Sequence, residues 1–154
     1  ARSENPRRAR RVRSPPGPGP GAGHVISAHL GQAVLLTEAD GRVGQGNFIG
    51  TVVTGKKLLG NGGGDGIQIA ENFFRPSGPG VTIGGTSPGA GNIISNNRVG
   101  IFILSGSGDV IQGNLIGTDM TGTQDFGNRL AGIVGTGDSH RLGGSRPAGG
   151  HGPS

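Results

Sequence analysis

The chain has 154 residues, enough for one domain of ordinary size, with 36 Gly, 10 Pro, one Met and no Cys, Trp or Tyr. The absence of cysteine excludes disulfides, thiolate metal sites and cysteine nucleophiles, and no apolar run approaches the roughly 20 residues that span a membrane. The formal net charge of +5 is concentrated at the start of the chain, so it does not describe a basic body.

Residues 1–13 hold Arg2, Arg7, Arg8, Arg10, Arg11 and Arg13 against Glu4, and the rest of the chain balances eight basic groups against eight acidic ones. "SPPGPGPG" follows. This composition has almost nothing apolar to bury, which predicts a disordered basic and Pro-rich arm or linker over 1–19. Phosphate contact through 1–13 is the one electrostatic route to nucleic acid. With no aromatic interleaving and no reading element, nucleic acid is not an expected partner.

From residue 20 the chain repeats itself. "PGAG" at 20–23 returns at 88–91 and, degraded, as "PAGG" at 147–150; "HVIS" at 24–27 is followed by "NIIS" at 92–95 and "HGPS" at 151–154. "QGNFIGTVVTGKKLLGN" at 45–61 returns as "QGNLIGTDMTGTQDFGN" at 112–128, with ten of seventeen positions identical. "GDGIQI" at 64–69 corresponds to "LAGIVG" at 130–135, and "VTIGG" at 81–85 to "HRLGG" at 140–144. One unit of about 68 residues precedes a second of about 59.

Within each unit the apolar residues come in bursts of two to five, β-branched or rich in Leu and Phe, bounded by Gly, Asn, Asp, Ser or Thr. They are too short for amphipathic helices and read as short strands. Units recurring in one order and direction suit a coil in which equivalent strands lie parallel in successive turns, with a narrow aliphatic interior. Asn47 and Asn114 are the expected bend residues, since Asn tolerates the left-handed conformation and its amide can bond to the Asn of the next turn. The expected architecture is all-β: a parallel β-helix over 20–146 with five to six rungs, essentially no helix, and a degraded or truncated last rung over 147–154.

The stretch "TIGGTSPGAGNIISNNRVGIFILSGSGDVIQGNLIGTDMTGTQDFGN" resembles the Gly- and Asn-rich right-handed parallel β-helix repeats of secreted or surface-exposed bacterial proteins, in the broad pectate-lyase-like superfold. The resemblance covers about residues 20–146 and implies a right-handed coil and an extracellular or cell-surface location. It implies either a structural or adhesive module with carbohydrate- or protein-binding loops, or a polysaccharide lyase, hydrolase or epimerase. Fold alone does not choose between them.

An enzyme of that kind needs carboxylates gathered on one face, as Ca²⁺ ligands or as an acid and base about 5 to 9 Å apart. The acids here are sparse and lie mostly in turns. Asp119 and Asp125 share one loop and stand where the other unit has Val52 and Leu58, so they are the candidates for a cation or sugar contact. Asp65 joins them because "GNGGGDGIQ" at 60–68 matches a Ca²⁺-binding nonapeptide except at Asn61, though such sites require tandem copies. The insertion "ENFFRPSGPG" at 71–80 offers Phe73, Phe74 and Arg75 as a ligand contact, against the blander role of a local cap. His24 and His29 replace Asn at repeat positions, Asp109 stands where the other unit has Arg42, and His140 where it has Val81. No catalytic residue is assigned. No cofactor is expected, Ca²⁺ being the one ion with a pattern in its favour, and the expected partner is a polysaccharide or a surface protein. The reading is therefore a non-catalytic structural or adhesive module, with a polysaccharide-active enzyme as the alternative.

Overall fold

The computed structural model describes residues 23–52, 54, 57–71, 79–136 and 139–143. The arm at 1–19, the Phe73–Phe74–Arg75 contact and the segment 147–154 lie outside them.

Among the described residues twelve short strands coil in sequence through three faces. The first turn comprises β1 (Val25–Ile26), β2 (Val34–Thr37) and β3 (Val43–Gly44); the second β4 (Phe48–Ile49), β5 (Ile67–Ala70) and β6 (Thr82–Gly84). The third comprises β7 (Ile93–Ile94), β8 (Val99–Ser105) and β9 (Val110–Gln112); the fourth β10 (Leu115–Ile116), β11 (Ala131–Gly135) and β12 (Arg141–Gly143). Every third strand pairs in parallel, giving three four-stranded sheets in the orders β1-β4-β7-β10, β2-β5-β8-β11 and β3-β6-β9-β12. This is a parallel β-solenoid, and the described residues contain no helix.

The described residues form four rungs where the repeat length suggests five or six. Each sequence unit is two rungs with loops, because the stretches between β4 and β5 and between β10 and β11 leave the sheets and fold on themselves. Thr51 bridges Leu58 antiparallel, and Thr118 bridges Asp125 in the same way. Both loops close alike, Gly60 N donating to Gly50 O at 2.9 Å and Gly127 N to Gly117 O at 2.8 Å.

The core follows from register. Ile26, Ile49, Ile94 and Ile116 stack on the first sheet, Val34, Ile67, Ile101 and Ile133 on the second, and Ile83 pairs with Ile111 on the third. Ile49, Ile69, Ile83, Ile94, Ile101 and Ile103 are at most 1% exposed. Each contributes about 1.5 to 3 kcal/mol by leaving water. Since successive strand residues face opposite ways, the same register puts Leu35, Gln68, Phe102 and Val134 on the outside.

Polar ladders run beside this aliphatic column. His24 N donates to Asn47 Oδ1; Asn47 N and Nδ2 donate to Asn92 Oδ1 at 2.9 and 3.0 Å; Asn92 N and Nδ2 donate to Asn114 Oδ1 at 3.0 and 2.8 Å. A second ladder starts with His29 N donating to Asn61 Oδ1, continues from Asn61 Nδ2 to Asn97 Oδ1 at 2.6 Å, and ends with Asn97 N and Nδ2 donating to Asn128 Oδ1 at 3.0 and 3.2 Å. His24 and His29 thus occupy first-rung positions of ladders otherwise built from Asn. The expected Asn bends are corrected in one respect. The left-handed residue is the preceding glycine, Gly46 at φ 69° and Gly113 at φ 67°, while Asn47 and Asn114 keep negative φ. An Asn freed from that backbone role can give both its carbonyl and its amide to neighbouring rungs.

Candidate functional site

The loops that interrupt the strands gather at the corners of the coil, and two corners hold the acidic side chains of the described residues. The corner between the first and second sheets carries all three carboxylates that the sequence singles out. Asp65, just before β5, is buried; Arg98, just before β8, donates from Nη2 to its Oδ2 at 2.9 Å. Asp119 and Asp125 both lie in the loop between β10 and β11, one rung beyond Arg98.

Asp119 organises that loop. Its Oδ1 accepts from the amides of Thr121, Thr123 and Gln124 at 3.1 to 3.2 Å, and the Thr121 hydroxyl lies 2.7 and 2.8 Å from its two oxygens. The residue is only 3% exposed, and what shields it is its own loop. Asp125, exposed, accepts from Gly127 N at 2.9 Å in an Asx-type turn. The two acids therefore share a loop as expected, but each one's hydrogen bonds run within that loop.

Desolvation raises the Asp119 pKa, yet the hydrogen bonds from the Thr121 hydroxyl and from the amides of Gln124, Thr123 and Thr121 together outweigh it, so the net shift is below the ordinary carboxylate range. A carboxyl depressed on folding adds stability above its unfolded pKa and loses it as pH falls through the folded value. The loop should thus keep its amide protection at Thr121, Thr123 and Gln124 from neutral pH to about pH 4 and lose it below that. Asp119→Asn should lower protection near neutral pH to the level the wild type reaches in acid and so flatten the profile, as followed by hydrogen exchange. An unchanged acid profile in the variant would assign the loss to another group.

The corner between the second and third sheets was not assembled from the sequence. Asp40 follows β2, Glu71 follows β5, and Asp109 and His140 immediately precede β9 and β12. The register places Val43, Thr82, Val110 and Arg141 side by side, so Arg42, Val81, Asp109 and His140 occupy one column. The usable signal was the pair of mismatches in the repeat, Asp109 for Arg42 and His140 for Val81, once these are known to be neighbours across rungs. Asp109 is fully buried, and His140 Nδ1 lies 3.2 Å from its Oδ2. Burial raises the Glu71 pKa, the charges of Asp109 and Asp40 raise it further, and His140 lowers it.

Among the described residues no three His, Asp or Glu side chains are placed to hold a metal ion, and no helix is long and apolar enough to cross a membrane. Chemically, the first corner offers carboxylates already bound within the fold. The second offers an acid kept more readily protonated beside an Asp–His pair, the one arrangement of the two that has proton-transfer character. Comparison with protein-family models, curated proteins and solved structures finds no match to this chain.

Proposed function

We propose that the chain is a non-catalytic structural or adhesive module: a stiff β-solenoid of the right-handed, pectate-lyase-like type, placed outside the cell or on its surface, whose loops contact polysaccharide or a surface protein. Right-handedness agrees with the general preference of parallel crossover connections. The observation that carries the functional reading is the use the fold makes of its singled-out carboxylates: Asp65 is paired with Arg98, Asp119 is surrounded by donors of its own loop, and Asp125 closes a turn. Groups so engaged shape loops rather than attack bonds. The two alike loops lie two rungs apart, about 10 Å at the usual strand spacing, a fixed interval suited to repeated contacts along a polymer or a protein surface. No cofactor is part of this reading, and Ca²⁺ remains only the weak pattern at Asp65.

A second reading, a polysaccharide-active enzyme, is favoured by one observation, the Glu71–Asp109–His140 corner. The two are separated by incubating the full chain with immobilised neutral and uronic-acid polysaccharides. Retention without release of shorter or unsaturated products is expected. Product release that disappears in Asp109→Asn while the fold persists would replace the module with the enzyme.

A further inference from the structure

We propose that Asp109 and His140 form a proton-operated latch that holds the fourth rung on the third, closed when the imidazole is protonated and released when it is neutral. Asp109 touches three successive rungs. Its Oδ1 accepts from Val81 N of the second rung at 2.8 Å, its carbonyl accepts from Arg141 N of β12 at 2.8 Å, and its Oδ2 faces His140 Nδ1 at 3.2 Å. Asp109 Oδ2 and both His140 ring nitrogens are buried and make no hydrogen bond. Ionic attraction to a charged imidazole is therefore the interaction that offsets the desolvation of that oxygen.

The surroundings make the charge matter. Asp40, after β2, and Glu71, after β5, add two carboxyl groups to the same corner, and Arg141 on the latch's own strand is exposed. Among the described residues His140 is the ion-pair partner of Asp109. A neutral imidazole leaves a buried carboxylate beside like charges with no charged ion-pair partner among the described residues. β12 has little else to resist opening, since all three of its residues are exposed and, among the described residues, its one strand neighbour is β9. Release bares the edge of β9 along Val110, Ile111 and Gln112, the register partners of Arg141, Leu142 and Gly143. An unpaired strand edge is a template for another strand, so the latch makes access to this end of the solenoid depend on the charge of His140.

The test is amide hydrogen exchange on the full chain at about pH 5.5 and about pH 8, corrected for intrinsic exchange, with the His140 ring titrated by NMR in the same samples. Protection at Arg141 should fall about tenfold across the interval, following the His140 ring signal, while amides of β5 and β8 keep theirs. His140→Gln and Asp109→Asn should abolish the pH dependence, whereas Glu71→Gln should keep it, separating the latch from titration of Glu71. A pH-independent wild type overturns the proposal, as does a pH dependence that survives in His140→Gln. If His140→Gln does not fold, the wild-type comparison decides alone: a ring titration whose midpoint differs from that of the Arg141 protection also overturns it.

Discussion

Gly50→Ala is expected to destabilise the chain by about 3 kcal/mol or more, a large share of the stability of an ordinary domain. Gly50 sits where β4 turns into the first loop, at φ 86°, and a Cβ there would run into the carbonyl oxygen of Ser95 in the next rung. That carbonyl also accepts from Asn97 Nδ2 at 3.1 Å, and Ser95 N is tied to Ile49 O at 3.0 Å, so the neighbouring rung cannot yield without breaking its own ladder. Gly117 is the same residue of the repeat two rungs on, with φ 80°, but its Cβ would find only ordinary contacts at 3.8 Å with Gly127 and Asn128. Gly117→Ala should therefore show the backbone cost alone, about 1 to 2 kcal/mol, and the difference between the two variants isolates the clash between rungs. Gly31→Ala, where nothing lies within 4 Å, is the control and should stay within about 0.5 kcal/mol. Urea denaturation midpoints compared at constant m-value measure all three. Equal losses at Gly50 and Gly117 would show that rung spacing relaxes freely.

The same contrast explains how far the sequence could be read. Short Ile-rich bursts at recurring positions require a coil, because only stacking lets Ile49, Ile94 and Ile101 all leave water. The direction of the repeat makes that coil parallel. The number of rungs was not legible, because dividing the repeat length by an ordinary rung counts in the loop after β4, which the antiparallel bridge between Thr51 and Leu58 sets apart from the sheets. Asp119 was legible as an unrepeated acid in a loop. Its saturation by neighbouring amides was not, because it depends on how the loop folds back, and Val52, at the same place in a loop closed alike, has no carboxylate to accept such bonds. The Asp109–His140 pair was harder still: the partners lie far apart in the chain and meet through the register of the third sheet, a relation visible only after the rungs are counted.

Asn97→Ala is expected to cost about 3 to 5 kcal/mol, because it damages a ladder in its middle. Asn97 is 3% exposed and joins three rungs: its Oδ1 accepts from Asn61 Nδ2 at 2.6 Å, while its N and Nδ2 donate to Asn128 Oδ1. Removing the side chain leaves the Nδ2 of Asn61, itself fully buried, with only its long 3.5 Å bond to Ile26 O, and takes one of two donors from Asn128. Asn97→Leu should not rescue stability, since an apolar group of similar size takes the same short bond from the buried Asn61 amide. Asn61→Ala should lose less than Asn97→Ala because it breaks one bond between Asn side chains, where Asn97→Ala breaks two, although it also leaves His29 N without its acceptor. Combining it with Asn97→Ala should cost less than the sum of the two by about 1 to 2 kcal/mol, because the second change removes the group stranded by the first. A ladder whose members contribute independently would give strict additivity in that double-mutant cycle. The expected coupling instead makes each Asn worth what its neighbours let it satisfy, which is why the repeat keeps Asn at these positions while the loop residues around them vary.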